Sequence, residues 1–190
     1  MSTLLTERLA LLPPAAVQPA AVADFLARNT AHFARWDPPR PAGLATEAFQ
    51  RESLPKQERE FAEGSCYRWY LVSHAEPTRV IGKLELSGVA RGPFQNAYLG
   101  YALDQHCQGQ GYMIEAARAV VAAAFGPDLR LHRLQASHRP ENQRSARVLE
   151  RLGFRELGLA VDYLFIDGAW RDHRVMELVN PGFVLAAEPG

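Results

Sequence analysis

Residues 98–125 read YLGYALDQHCQGQGYMIEAARAVVAAAF and combine three structural signals in one run. Residues 97–103 are rich in aromatic and aliphatic side chains, which favours a strand. A glycine-rich turn follows at residues 108–113, and apolar residues then recur at helical spacing from Met113 to Ala124. A strand, a turn and a helix in this order leave the first N–H groups of the helix without partners at the turn.

Such a turn is suited to an anion. The start of a helix carries a partial positive charge and can hold phosphate without a lysine, and glycine lets the backbone approach a ligand closely. We therefore predict a phosphate-bearing ligand at this turn, with a turn that only caps its helix as the alternative. The residues of the turn are Gln108, Gly109, Gln110, Gly111, Tyr112 and Met113.

Two common nucleotide motifs do not fit the turn. A dinucleotide-binding fingerprint would need a third glycine, where Ile114 stands. A Walker A motif would need Gly-Lys-Ser/Thr, but Gly111 is followed by tyrosine and methionine. The anion at this turn is therefore expected to belong to another class of ligand.

Outward from this run, helical and strand patterns mix, which predicts an α/β (α+β) fold with a mixed sheet in a single domain, residues 1–190 with a core of about 4–180. Thr46 is expected to cap a helix, Pro55 to break or kink it, and Gly153 to end a later helix. Strands are predicted at residues 4–12, 67–73, 80–89, 97–103, 133–137, 154–165 and 170–179, helices at residues 17–29, 46–61 and 142–152 and after the turn, and a proline-rich loop at residues 32–43.

Composition excludes several classes of protein. Lys+Arg and Asp+Glu both number 21, so nothing in the net charge favours general nucleic-acid binding. Cys66 and Cys107 are too few for a disulfide framework and lack the spacing of a zinc site, which favours a reducing compartment and predicts no metal. Glu7 and Arg8 interrupt the apolar amino terminus, and no run of about 18 apolar residues occurs, so we expect a cytoplasmic protein that does not enter a membrane.

Two blocks of sequence resemble those of a known family. Gln108 and Gly111 match the first two fixed positions of Gln/Arg-x-x-Gly-x-Gly/Ala, the acetyl-CoA loop of the GNAT superfamily, although Met113 stands where glycine or alanine is usual. Asn142-x-x-Ser145, followed by LERLGF at residues 149–154, is similar to a second block of the family. The resemblance covers nearly the whole chain. It is nearest to the RimJ/RimL branch, the ribosomal-protein N-terminal acetyltransferases, to which residues 89–94, 98–101, 162–168 and 170–173 are also similar.

The resemblance implies a fold and a reaction. It implies a GNAT fold, with a central sheet of about seven strands that splays in the middle and helices on both faces. Acetyl-CoA would be the cosubstrate, and no metal would be needed. The acetyl group would pass directly to the N-terminal α-amine of a ribosomal protein whose first residue is alanine. We further expect a monomer or homodimer, with transient association with the ribosome at most. The balanced charge gives no reason to expect sequence-specific binding to nucleic acid.

The resemblance also implies roles for individual residues. Ser145 would lie near the thiol of the cofactor and act as the general acid, because Leu149 stands where many members of the family have a tyrosine. The alternative for Ser145 is a small polar residue on a packed helix face. Glu85 would be the general base, or else a solvent-facing strand residue. Trp36 would wall the entrance for the peptide substrate, or else plug the edge of the core. Tyr101, Ala102 and Leu103 would line the pantetheine arm, or else Tyr101 would be a core aromatic on a face of the sheet. Residues 108–113 would hold the pyrophosphate, and Asn142 would contact the arm or cap its helix.

The sequence contains no obvious general base, and this favours an α-amine over the side chain of lysine as the acceptor. A free α-amine has a pKa of about 7.7–8.0, against about 10.4 for lysine. That difference is worth about 3.5 kcal/mol, so an α-amine needs less help to become neutral. Two other functions stay open on the sequence: acetylation of a small-molecule amine, and acyl-CoA binding without catalysis.

Overall fold

The computed structural model describes residues 3–184, and within them the strands form one mixed sheet of eight strands. Their order across the sheet is β1-β2-β3-β4-β5-β6-β8-β7, and neighbours are antiparallel apart from the parallel pair β5 and β6. The strands are β1 (Leu4–Leu5), β2 (Leu9–Leu12), β3 (Tyr67–Ser73), β4 (Val80–Ala90), β5 (Asn96–Leu103), β6 (Arg133–His138), β7 (Arg155–Ile166) and β8 (Ala169–Val179).

Helices cover both faces of this sheet, so the predicted α/β class and layering are confirmed. The helices are α1 (Pro19–Arg28), α2 (Thr30–Ala34), α3 (Glu47–Glu63), α4 (Tyr112–Phe125) and α5 (Gln143–Leu152). None of them is both long and apolar enough to cross a membrane. Residues 1–2 and 185–190 of the predicted domain lie outside the described range.

Three predicted elements differ from the structure. The single strand expected at residues 4–12 is two strands, because the Thr6 N–H donates to the Leu9 carbonyl (2.9 Å) and closes a turn between them; this accounts for the eighth strand. A short helix, α2, occupies the start of the loop expected at residues 32–43. Helix α3 runs through Pro55 without a break, since Leu54 and Phe61 are buried on either side of it.

The predicted helix ends are confirmed where a local hydrogen bond or a glycine sets them. The Thr46 hydroxyl accepts from the Phe49 N–H (3.3 Å) at the start of α3. Gly153 has a left-handed backbone (φ +88°) at the end of α5, a conformation that glycine adopts without steric cost.

The register of the sheet separates its two faces. Leu84 of β4 lies opposite Tyr101 of β5, and this face packs against the small residues of α4. Lys83 and Glu85 lie opposite Ala102 and Gly100 on the other face. Because α4 contributes mainly alanines there, it lies close to the sheet, which brings its first turn next to the end of β5.

Asp104, directly after β5, anchors the segment that leads to the turn. Its carboxylate is fully buried and accepts from Arg28 Nε (2.6 Å), at the end of α1, and from the His106 N–H (3.0 Å). Burial raises the pKa of the Asp104 carboxyl, but the hydrogen bond from His106 and the Arg28 guanidinium outweigh burial and lower it. Breaking a buried ion pair at one partner leaves an uncompensated charge, which is expensive.

We predict that Asp104→Ala lowers the free energy of unfolding by about 3–5 kcal/mol. Asp24→Ala is the matched control, because Asp24 pairs with the same Arg28 but its side chain is 65% exposed, and it should cost only about 0.5 kcal/mol. Urea unfolding measures both values.

The lowered pKa of Asp104 also sets a pH dependence. A carboxylate with a lowered pKa stabilises the fold above its ordinary pKa, and this contribution is lost as the pH falls through the folded-state value. Asp104→Ala should therefore weaken the acid dependence of stability. Equal losses of unfolding free energy in Asp104→Ala and Asp24→Ala at neutral pH would contradict the anchoring role of Asp104.

Candidate functional site

Strands β5 and β6 separate early, and the site lies where they part. They pair only from Asn96/Arg133 to Tyr98/Gln135, whereas β5 continues on β4 as far as Leu103. The Asp104 N–H donates to the Ile81 carbonyl (2.8 Å), which marks a hydrogen-bonded pair of the β4–β5 ladder. Hydrogen-bonded and non-hydrogen-bonded pairs alternate along an antiparallel ladder, so Tyr101 and Leu103 form non-hydrogen-bonded pairs with β4. Their N–H and C=O groups therefore point away from β4 into the gap.

The glycine turn closes one end of this gap. Gly109 (φ +78°) and Gly111 (φ +81°) both have left-handed backbones, and Gly111 is the residue before α4. The first N–H groups of α4 therefore face the turn without partners in the helix. This geometry is the one predicted for an anion site.

The amino terminus of the chain braces the turn from outside. Arg8 donates through Nη1 to the Gln110 carbonyl (2.9 Å) and lies over the ring of Tyr112 (4.6 Å). Glu115, in the first turn of α4, accepts from Thr6 Oγ1 (2.7 Å) and from Arg8 Nε (2.7 Å). The turn is thus held by the β1–β2 hairpin as well as by its own backbone.

A cleft of about 440 Å³ opens along the gap and the turn. The residues predicted to hold a cofactor that line it are Tyr101, Ala102, Leu103, Gln108, Gly109, Gly111, Tyr112, Met113, Asn142 and Ser145. Gln110 is the exception, because its side chain donates to the His106 carbonyl (3.2 Å) and its own carbonyl faces Arg8.

Basic side chains of α5 form one wall of this cleft. Arg144, Arg147 and Arg151 line it while staying exposed to solvent. Arg144 also donates to the Gln108 side chain, whose amide nitrogen lies 2.8 Å from His32 Nε2. The amide nitrogen of Gln108 can only donate, so His32 Nε2 accepts this bond. Burial lowers the pKa of His32 and the charge of Arg144 lowers it further, which favours the neutral ring. Gln108 therefore links α2 to α5 across the mouth of the cleft.

Ser145 lies at the inner end of the cleft, in a defined hydrogen-bond arrangement. Its N–H donates to Asn142 Oδ1 (3.1 Å), so Asn142 caps α5. Its hydroxyl lies 2.8 Å from the Tyr101 hydroxyl, which also lies 3.2 Å from the Ser145 carbonyl. Burial raises the pKa of Tyr101, and the bond to Ser145 only partly offsets that rise, so the phenol keeps its proton. The two hydroxyls can pass a proton between them.

A second cleft, of about 590 Å³, opens on the other face of the sheet. It lies beneath the segment after α2 and beside the β7–β8 hairpin. The two clefts share Trp36, Asp37, Tyr101, Ala102, Asn142 and Ser145. Ser145 and the open edge of β5 are therefore reached from both sides of the sheet.

Glu85 lies in the second cleft, within an ion pair. Arg68 Nε donates to its carboxylate (2.8 Å). Burial raises the pKa of the Glu85 carboxyl, but Lys83 and Arg68 outweigh burial and lower it. Glu85 therefore lies where the predicted general base would be needed. However, a carboxylate that is held by an arginine is a weak proton acceptor.

Trp36 follows α2 and lies between two cations. The Arg35 guanidinium lies 4.9 Å from the centre of its ring, and the Arg139 guanidinium lies 5.6 Å from it. The ring borders both clefts, as a wall for a substrate would.

Four features of the site could not be predicted from the sequence. They are the Tyr101–Ser145 hydroxyl pair, the contact of Arg144 with Gln108, and the presence of His138 and His173 in the second cleft. The sequence carried a signal for only one of these features: His173 is the last residue of the distinctive stretch WRDH, residues 170–173. Within residues 3–184, no group of three or more His, Cys, Asp or Glu side chains is arranged to hold a metal ion.

Comparison with known proteins agrees with this geometry. A family model described as an acetyltransferase (GNAT) domain matches residues 8–155. The [ribosomal protein uS5]-alanine N-acetyltransferase of Escherichia coli (strain K12) is 36% identical over 160 residues, which are 84% of this chain and 81% of that protein.

Solved structures are similar over nearly the whole fold. The ribosomal-protein-S5-alanine acetyltransferase of Vibrio fischeri superposes with a TM-score of 0.90 at 29% identity, covering 96% of this chain and 99% of that one. Mycobacterium smegmatis RimJ, in complex with CoA-disulfide, superposes with a TM-score of 0.80 at 26% identity, covering 90% and 81%.

We predict that the Tyr101 and Ser145 hydroxyls are energetically coupled. In a double-mutant cycle of Tyr101→Phe and Ser145→Ala, urea unfolding should give a coupling energy of about 0.5–1.5 kcal/mol, the net value of a hydrogen bond. Tyr98→Phe, at an exposed position on the same strand, is the control and should change stability by less than about 0.5 kcal/mol. Strictly additive effects of Tyr101→Phe and Ser145→Ala would show that the bond contributes nothing.

Proposed function

The chain belongs to the GNAT acetyltransferase family, and from that premise we propose that it acetylates the N-terminal α-amine of a ribosomal protein, with alanine as the first residue. It is an acetyl-CoA-dependent acyltransferase, as the family match and its relatives indicate. The names of the Escherichia coli and Vibrio fischeri relatives support alanine and a ribosomal protein as the acceptor. We place the reaction in the cytoplasm, with contact to the ribosome only during transfer.

One observation carries the proposal. Two clefts on opposite faces of the sheet share Ser145 and the open edge of β5. An acyl donor in the first cleft and an amine in the second would therefore meet at one point. Transfer between two substrates held in this way needs no acyl-enzyme intermediate, because proximity converts attack by the amine into an effectively unimolecular step.

The first cleft fits acetyl-CoA. Its pyrophosphate would bind at the turn of residues 108–113, where glycine backbones and the start of α4 suit an anion. Its pantetheine arm would pair with the N–H and C=O groups of Tyr101 and Leu103 that β6 leaves open. Arg144, Arg147 and Arg151 supply positive charge along the wall where the phosphates would lie.

The chemistry needs an acid at the sulfur. The amine attacks the thioester carbon and forms a tetrahedral intermediate, and the C–S bond breaks when this intermediate collapses to the amide. Ser145 would donate its hydroxyl proton to the leaving thiolate and would then regain a proton from the solvent of the cleft. The Tyr101 hydroxyl, 2.8 Å away, would hold the Ser145 hydroxyl in position. The oxyanion of the tetrahedral intermediate would bind a backbone N–H of the open edge of β5, a donor that is oriented before the reaction starts.

The second cleft bears on the nature of the amine. Its charged side chains have both signs, since Asp37 and Glu85 lie with Lys83, Arg40 and Arg139. An acidic pocket for a small cationic amine would lack this balance. A cleft of mixed charge bordered by Trp36 suits the amino terminus of a peptide better, which favours the proposed substrate over a small-molecule amine.

Release of free thiol from acetyl-CoA tests the proposed function. We expect turnover with peptides that begin with alanine, little with the same peptides after N-terminal blocking, and little with a panel of small amines. Turnover restricted to small amines would disprove the ribosomal substrate, and binding of acetyl-CoA without turnover on any amine would indicate a non-catalytic module.

Ser145→Ala should lower kcat by about 10²-fold, because an acid at the leaving group is typically worth that much. The affinity for acetyl-CoA, measured by calorimetry, should change little, since the turn and the gap are intact. An unchanged kcat would remove Ser145 from the role of general acid.

Gly109→Ala should weaken the binding of coenzyme A at least about tenfold, or ~1.4 kcal/mol, because the added methyl group occupies the anion site. Gly168→Ala is the matched control: both glycines have positive φ and no atoms within 4 Å of an added Cβ, but Gly168 lies in the β7–β8 turn. Both variants should lose similar stability from backbone strain, and only the first should lose affinity. Equal affinities would place the pyrophosphate elsewhere.

A further inference from the structure

Two buried histidines in the second cleft have no role in the reaction described above. His138 ends β6 and is 6% exposed, and His173 lies in β8 and is 3% exposed. Both line the cleft that we assign to the acceptor amine. Buried ionisable groups facing a cleft are candidates for proton transfer.

Hydrogen bonds define the tautomer of each ring. His173 Nδ1 lies 3.0 Å from the Arg171 carbonyl, and His138 Nδ1 lies 2.9 Å from the Arg139 carbonyl. A carbonyl oxygen can only accept, so Nδ1 carries the proton in both rings. In the neutral ring, Nε2 then presents its lone pair.

The Nε2 atoms are open to the cleft. Within residues 3–184, neither has a hydrogen-bond partner in the protein, and neither is among the polar atoms sealed from solvent. The ring of His173 also packs against Tyr163, with ring centres 5.5 Å apart. The Nδ1 bond and this contact together fix the direction of the lone pair.

The surroundings of His173 favour its neutral form. Burial lowers the pKa of its ring; the bond to the Arg171 carbonyl opposes this, and the charges of Arg139 and His138 add to the lowering. Glu141 acts weakly in the opposite sense. The other charged groups that line the same cleft are Asp37, Arg40, Lys83 and Glu85.

Building on the proposed function, we propose that His173, through Nε2, accepts the proton that the acceptor amine loses. The amine nitrogen forms its bond to the acetyl carbon, and its surplus proton passes to Nε2 while the sulfur leaves with the proton of Ser145. His173 then releases its proton to the solvent of the cleft. Glu85 is less suited to this step, because Arg68 already occupies its carboxylate.

The test compares asparagine variants in the thiol-release assay with an alanine-starting peptide. Asparagine at position 173 keeps an N–H donor for the Arg171 carbonyl but has no basic lone pair. His173→Asn should lower kcat by about 10²-fold and leave the affinity for acetyl-CoA unchanged. His132→Asn is the control, because His132 also packs against an aromatic ring, that of Phe183, but lies in neither cleft.

The pH profile separates a base from a structural residue. The wild type and His173→Asn should both lose kcat/KM on the acid side as the α-amine of the peptide becomes protonated. The wild type should fall more steeply than His173→Asn, because His173 becomes protonated as well. In His173→Ala, added imidazole should restore turnover, and more so as the pH rises and imidazole becomes neutral. This second variant keeps the test valid if the asparagine variant does not fold.

Several outcomes would overturn the proposal. An unchanged rate and pH profile in His173→Asn would do so, as would a full loss in His138→Asn or Glu85→Gln while His173→Asn stays active. Absence of turnover in the wild type with any peptide would instead disprove the proposed function, before any variant is compared.

Discussion

The early separation of β5 from β6 is the constraint on which the site depends. Each strand is held by its outer neighbour beyond the point where they part: β5 by β4 as far as Leu103, and β6 by β8 as far as His138. Backbone groups that would otherwise pair across the sheet are left open. A buried unpaired backbone group is costly, so such an opening is tolerable where a ligand or solvent takes the place of the missing strand.

Several contacts between distant parts of the chain keep this opening in shape. The ion pair of Arg28 with Asp104 joins the end of α1 to the end of β5, and Arg8 with Glu115 joins the first hairpin to α4. Asn142 caps α5 and so sets the position of Ser145. These contacts use polar groups at the ends of elements, where the backbone has free donors and acceptors.

In the proposed function, the same opening lets one small domain bind an anion on one face of the sheet and an amine on the other. Positive charge is concentrated on the donor side, in the start of α4 and the arginines of α5, whereas the acceptor side has charges of both signs and two histidines. Ser145 and Tyr101 lie between the two sides. The sheet thus separates two electrostatic environments, which under the proposed function would let an acid act at one substrate and a base at the other.

The sequence by itself determined the features that depend on neighbouring residues: the strand, turn and helix of residues 98–125 and the Thr46 and Gly153 helix ends. Its family blocks also indicated the fold and most of the residues that line the first cleft. Errors arose where tertiary packing overrode local preference, as in the continuity of α3 through Pro55 and the turn that splits residues 4–12.

Only the tertiary structure decided which side chains meet. Tyr101 and Ser145 are 44 positions apart, and Arg28 and Asp104 are 76 apart, so no local pattern could pair them. Likewise, the ion pair that weakens Glu85 as a base and the open Nε2 of His173 depend on strands brought together by the sheet. Hydrogen bonding and burial set the proton affinity of a side chain, and both are properties of the packed fold.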